Sequence, residues 1–198
     1  VYPSDTPVTL FQEKFLEKDH YTNFRLQTGM HAGTHIDTPM HLTKSKSTVD
    51  TYPLERFTGN GCLLDVRNQE CISYQQNFSE CVNCNDIVLL FSGHSDLFGT
   101  DSYYQDFPVI DYSLAEFLIS KKIRIVGMDS PSPDRFPFEI HKLLFKHDIL
   151  VIENLTNLKS LLGYNRFELF AFPLKIKADS SPVRVVAKIS SKCDTTHQ

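Results

Sequence analysis

Three imidazoles and a carboxylate fall within eleven residues in the run His31-Ala32-Gly33-Thr34-His35-Ile36-Asp37-Thr38-Pro39-Met40-His41, the densest set of ligand-forming groups in the chain. His31, His35, Asp37 and His41 are separated by even intervals, so an extended strand would carry all of them on one face. A straight strand would also put His31 roughly 33 Å from His41, whereas the ligands of one metal ion must all lie within ~2.2 Å of it. The chain must therefore fold back on itself. Gly33 admits the backbone angles of a tight bend and Pro39 fixes φ and removes a donor, so both breakers fall between the ligands. The same residues, with Thr34, disfavour a helix through the motif. Histidines in this number and spacing beside Asp37 point to a divalent-metal site rather than to solvated loop side chains.

The flanking elements follow from pattern. Residues 8–11 form a possible short strand, and residues 22–28 alternate polar and apolar side chains as a half-buried strand would, delivering the chain to His31. Residues 42–50 form a polar surface loop, 54–57 a helical turn and 62–66 a strand; residues 67–85 carry no clear signal. The apolar run 87–91 is a buried strand that ends in Ser92-Gly93-His94-Ser95-Asp96, a loop from which His94 either enters the site or is solvated. Tyr103, Tyr104 and Phe107 make an aromatic loop. Ser113 is a plausible N-cap for a helix over 114–121 with Leu114, Phe117 and Leu118 on one face.

Residues 123–129 read as the next strand and 129–134 as the loop at its C-terminal end. A short amphipathic helix over 138–146 carries His141, and the strand 149–152 ends in Glu153-Asn154. A carboxylate at the end of a buried apolar run is costly unless something pairs with it. His141 and Glu153 are thus the remaining candidates for the metal centre, against the alternatives of a solvent-facing helix His and a capping or salt-bridged Glu. Residues 155–162 suggest another short helical segment. Residues 168–176 form a strand broken by Pro173, near an edge or bulge; 180–182 turn the chain, 183–189 make a last strand, and 190–198 are a loose tail. This succession predicts an α/β arrangement with a mixed sheet, in a single domain over 1–198.

Composition excludes several functions. The 198 residues are 41% hydrophobic and 22% charged, the profile of an ordinary globular protein. A net charge of −4 leaves no electrostatic footprint for nucleic acid or an anionic membrane. The apolar runs are far below the ~18 residues that span a bilayer. The N-terminus lacks the regions of a signal peptide and begins without Met, so the natural start is expected upstream. Five cysteines at irregular intervals do not look like a disulfide framework, and the cytoplasm is the expected compartment. Cys81-Val82-Asn83-Cys84 is an isolated CxxC with no second pair. Tyr2 is either one wall of a substrate pocket or an aromatic anchor for the terminus.

The motif resembles the HxGTHxDxPxH signature of the metal-dependent cyclase family, which includes bacterial kynurenine formamidase and isatin hydrolase. The similarity runs along most of the chain. Tyr2-Pro3-Ser4-Asp5-Thr6-Pro7 resembles the family's WPGDTP segment, Asp86-Ile87-Val88-Leu89-Leu90 with Ser92-Gly93 its GDIVLLRTG segment, and Gly127-Met128-Asp129-Ser130-Pro131-Ser132 its GIDTPS loop. The family's usual first strand, which precedes WPGD, has no counterpart here. The resemblance implies a swivelling β/β/α domain with a mixed sheet, assembled into homodimers or larger homo-oligomers. It implies that His31 and His35 bind one metal, that Asp37 bridges to a second, that His141 is a ligand of the second, and that Glu153 is a bridging carboxylate. His41 would be the general acid/base, and Tyr2, standing where the family has Trp, would touch substrate.

The reaction expected is amide hydrolysis by a metal-bound hydroxide, with one or two ions per subunit, zinc or manganese, and His41 moving a proton from nucleophile to leaving nitrogen. N-formylkynurenine, giving kynurenine and formate, is the expected substrate. Ring opening of a cyclic amide such as isatin and a noncatalytic metal-binding protein are the alternatives.

Overall fold

The computed structural model describes residues 1–3 and 5–189; the tail over 190–198, with Cys193, lies outside the described residues. A hairpin comes first: β1 (Thr9–Lys14) pairs antiparallel with β2 (Asn23–Gln27) across the short helix α1 (Leu16–Asp19). These two strands form a sheet of their own. Every residue of β2 is exposed, which corrects the expectation of a half-buried strand. The alternation in the sequence is real, but among the described residues β2 pairs only with β1 and faces no core.

The body is an eight-stranded sheet. Its strands are β3 (His35–Asp37), β4 (Thr58–Asp65), β6 (Ile87–Phe91), β8 (Ile125–Met128), β9 (Leu150–Glu153), β10 (Phe167–Phe170), β11 (Ser180–Pro182) and β12 (Val186–Lys188), while β5 (Cys71–Ile72) and β7 (Val109–Ile110) pair separately. The spatial order is β11-β3-β9-β8-β6-β4-β10-β12. The central β4, β6, β8 and β9 run parallel, and the outer strands are antiparallel to their neighbours. The mixed α/β sheet expected from the sequence is therefore present.

Parallel strands buried on both faces must be apolar throughout, as Ile87-Val88-Leu89-Leu90-Phe91 is. Val88 and Leu90 join Val126, Met128 and Val151 against the helices α4 (Tyr112–Ser120) and α5 (Glu139–Lys146), from which Leu114, Leu118, Leu144 and Phe145 pack. Ile87 and Leu89 face the other way, against Ile36, Ile125, Ile152, Leu158, Phe167 and Leu169. The helix α2 (Phe78–Cys81) lies in the stretch that carried no sequence signal, and α3 (Ser102–Gln105) in the aromatic loop. Cys81 and Cys84 are exposed free thiols.

The sheet cannot be flat. β11 and β12 stand at its two ends, yet only residues 183–185 separate them in the chain. Those residues reach at most about 14 Å, while eight flat strands would span about 34 Å. The sheet curls until its ends approach, and a bridge between Pro173 and Val183 joins the segments beyond β10 and β11. The turn expected over 180–182 is instead the strand β11, because it pairs with β3, and the last strand expected over 183–189 is the shorter β12. The expected strand over 168–176 stops at Phe170, before Pro173, and lies one strand in from the edge.

Ser113 is not the cap of α4. Asp111 is, its Oδ1 accepting from the Leu114 amide at 3.0 Å, while Ser113 Oγ hydrogen-bonds to the same oxygen at 2.7 Å. An ionised carboxylate is the stronger acceptor at a helix N-terminus. No helix among the described residues is long and apolar enough to cross a membrane.

Candidate metal centre

The motif does fold back. Gly33, at φ +64°, turns the chain so that the His31 and His35 rings lie 5.0 Å apart, centroid to centroid. β3 then enters the sheet between β11 and β9, pairing His35 with Glu153. Beyond it a turn closes at Pro39, with the His41 amide donating to the Thr38 carbonyl at 3.0 Å, and the His41 ring comes to 4.2 Å from that of His31. The α5 helix presents His141 from the far side. His31, His35, Asp37, His41, His141 and Glu153 all meet in one place, and Tyr2 lines the same cavity.

Two donor sets share Asp37. Donor atoms of His31, Asp37 and His41 lie within 4.8 Å of one another, as do those of His35, Asp37 and Glu153. Glu153 reaches both sides, with Oε2 at 3.3 Å from His35 Nε2 and Oε1 at 3.2 Å from His141 Nε2. His31 Nδ1 is 3.0 Å from Asp37 Oδ1.

The back nitrogen of each of three imidazoles is already committed. His35 Nδ1 donates to the Gly33 carbonyl at 2.8 Å, His141 Nδ1 donates to Asp134 Oδ1 at 2.7 Å, and His31 Nε2 donates to Asp179 Oδ2 at 2.9 Å. His35 Nε2, His141 Nε2 and both carboxylate oxygens of Asp37 are buried without a hydrogen-bond partner among the described residues. Buried polar atoms left so are rare and costly. Imidazole nitrogens and carboxylate oxygens facing one another are the donor set of a zinc or manganese site, so the residues present fit a divalent cation.

Electrostatics agree. Burial alone would lower His35 and His141, but Asp37 and Glu153 beside the first, and Asp134 and Glu153 beside the second, outweigh it and raise both to about 9. Burial alone would raise Asp37; His35 and His31 outweigh that and hold it well below the usual carboxylate range. The cluster is built to contain positive charge. His41 is the exception, lowered chiefly by burial.

The sequence did not point to Asp134 or Asp179. Asp134 also accepts from the Ile140 and His141 amides, at 2.7 and 3.2 Å, so it starts the helix and orients the His141 ring. His94, left open as a site residue or a solvated one, is neither: it is buried, donates from Nε2 to the Tyr103 carbonyl at 2.8 Å and stacks on the Tyr103 ring. Above the cluster opens a cavity of about 540 Å³ whose apolar walls include Tyr2, Tyr104, Phe107, Phe136 and Phe138. Tyr2 packs edge-on against Tyr104 at 5.5 Å.

Solved structures share this fold. A "potential metal-dependent hydrolase with cyclase activity" is 26% identical with a TM-score of 0.75, over 94% of this chain and 90% of its own. Isatin hydrolase A from Labrenzia aggregata superposes with a TM-score of 0.82 at 21% identity, over 94% of this chain and 86% of its own. The class to which fold and donor set point is the α/β metal-dependent hydrolases. The family model for Cyclase matches residues 2–135. Kynurenine formamidase of Bacillus cereus (strain ATCC 10987 / NRS 248) is 31% identical over 194 residues, 94% of this chain and 90% of that protein. The enzyme of the same name from Bacillus mycoides (strain KBAB4) is 32% identical over 195 residues, with the same coverage. The chain belongs to the cyclase family.

Proposed function

We propose that this protein is a metal-dependent amide hydrolase, an arylformamidase that converts N-formylkynurenine to kynurenine and formate. The observation that carries the proposal is the set of buried nitrogen and oxygen donors around Asp37 that have no hydrogen-bond partner among the described residues. As the family resemblance implies, His31, His35 and Asp37 would hold one divalent cation, and His141 and Glu153, with Asp37 shared, a second; His41, although within reach of His31 and Asp37, is the most exposed of the four imidazoles and is kept as the acid/base. A cation bound there lowers the pKa of water towards ~7 and polarises a carbonyl oxygen.

The chain's own residues do the rest. Asp37, His35, His141 and Glu153 are almost fully buried, so the floor of the cavity excludes bulk water and the field around the reacting carbonyl is weakly screened. His41 stands nearer the mouth, with 30% of its side chain exposed, and burial favours its neutral form. A neutral imidazole can take the proton of the attacking water and return it to the departing nitrogen. Tyr2, Tyr104 and the phenylalanine walls suit a flat aryl group, which accounts for the preference proposed for an aryl formamide.

The test is hydrolysis of N-formylkynurenine by chelator-stripped protein, with zinc or manganese returned and His41→Ala run in parallel. Turnover restored by metal and abolished by His41→Ala is expected. Stoichiometric metal without turnover overturns the substrate assignment and makes cyclic amides such as isatin the next compounds to assay.

We further propose that the protein assembles as a homodimer or larger homo-oligomer through the β1–β2 arm. Leu10 and Leu26 face each other across the two strands and are 66% and 61% exposed; Phe11, Phe15, Leu16 and Phe24 are exposed beside them. An isolated two-stranded hairpin is marginal in water, and an apolar surface of this kind calls for a partner.

A further inference from the structure

Asp179 lies far from the motif in sequence and precedes β11 at the rim of the sheet. Register places it: Ser180 pairs with Asp37, so Asp179 falls opposite Thr38. The Thr38 amide and hydroxyl both donate to the Asp179 carbonyl, at 3.0 and 2.8 Å, and fix the backbone there. Its carboxylate is then held between two rings. Oδ2 alone is 2.9 Å from His31 Nε2 and 3.2 Å from His41 Nδ1.

A carboxylate oxygen can only accept, so both nitrogens facing it must carry hydrogen when the imidazoles are neutral. The opposite nitrogen of each ring is then a lone pair. For His31 that is Nδ1, which faces Asp37 at 3.0 Å. For His41 it is Nε2, which bonds to no described residue and is the nitrogen available to accept a proton. From this geometry we propose that Asp179 is a positioning residue that selects the tautomers of the ligand His31 and the acid/base His41 with one oxygen atom. The proposal rests on the hydrolase assignment for its catalytic consequence, and on hydrogen-bond geometry alone for the tautomers.

Ala at this position removes the acceptor that the two rings share, whereas the carbonyl oxygen of Asn, with two lone pairs, could still accept from both. The backbone bonds to Thr38 do not involve the side chain and remain. The experiment compares wild type, Asp179→Ala, His41→Ala and the double variant, each stripped and reloaded with saturating zinc, reading metal content, kcat and KM on N-formylkynurenine. Asp179→Ala is expected to lower kcat about ten- to a hundredfold, the usual effect of losing a ligand's supporting partner, with KM within about twofold. At full zinc occupancy, where any loss through His31 is offset, the double variant is expected to be no slower than His41→Ala alone.

Losses that multiply in the double variant overturn the proposal, because Asp179 would then act independently of His41. So does an activity loss fully restored by excess zinc, which would make Asp179 a support of metal binding only. His41→Ala with undiminished turnover refutes the role given to His41, a failure of the hydrolase mechanism that leaves the tautomer question standing. Nitrogen-15 NMR of histidine-labelled, zinc-loaded protein at pH 8 answers that question without any activity. His41 protonated on Nδ1 in wild type, moving to Nε2 in Asp179→Ala, supports the proposal; Nε2 protonated in both overturns it.

Discussion

At the scale of the residue, His41 and His35 illustrate how neighbours in one motif take different work. His35 is buried with a committed Nδ1 and an Nε2 that has no hydrogen-bond partner among the described residues, whereas His41 stands about a third exposed nearer the mouth. His35→Ala is expected to lose bound metal, and His41→Ala to keep it while losing turnover; equal metal loss in both, read by elemental analysis after dialysis, would make His41 a ligand. Protons and metal compete for the same nitrogens. With His35 and His141 raised from 6.5 to about 9 in the metal-free protein, their protonated forms stabilise the fold fully below pH 6.5, and that contribution is lost as pH rises through 9. The melting temperature of stripped protein should therefore fall between those pH values, while zinc affinity measured by chelator competition rises over the same range. A flat melting profile would show that these histidines are neutral without metal. Both candidate sets were legible as residue types, since His31 to His41 carry their own spacing and Glu153 its cost of burial. Asp134 and Asp179 were not, because a carboxylate behind an imidazole has no characteristic interval from it.

Among the elements, loops at strand ends decide whether the cavity keeps its shape. Asp129, at the end of β8, accepts from the Ser92 amide and hydroxyl at 2.9 and 2.6 Å and from the Gly93 amide at 2.8 Å, tying two loops together. Asp129→Ala leaves those part-buried donors unmatched and should cost about 3 kcal/mol, measured as a lower urea midpoint with an unchanged slope. The β1–β2 arm makes the opposite case, an element whose apolar residues Leu10, Phe11, Phe24 and Leu26 are exposed and pack into no core among the described residues. Leu10→Lys combined with Leu26→Lys should leave the fold intact by circular dichroism and shift the protein to a monomer in sedimentation; an unchanged mass would place the assembly surface elsewhere. The pattern of β2 predicted a strand correctly but misplaced its burial, since alternation records that one face is apolar and not what covers it.

For the whole molecule, closure of the sheet brings β3, β9, α5 and the segment before β11 to one point. A site assembled from elements so far apart in the chain should stabilise the entire fold when filled. Zinc at a hundredfold its dissociation constant is expected to add about 2.7 kcal/mol, seen as a raised melting temperature that a chelator reverses; no shift would mean that no cation binds the native state. The sequence by itself determined the mixed α/β character, the buried central strands and the identities of His31, His35, Asp37, His41, His141 and Glu153 as candidates, because periodicity, breakers and the cost of a buried charge are local properties. Tertiary structure alone decided that His94 serves the packing of Tyr103, that one stretch near the C-terminus supplies strands to both ends of the sheet, and that Asp179 sits between two imidazoles. Those outcomes depend on which strands pair and how far the sheet curls, and pairing partners distant in the chain leave no interval in the sequence from which to infer them.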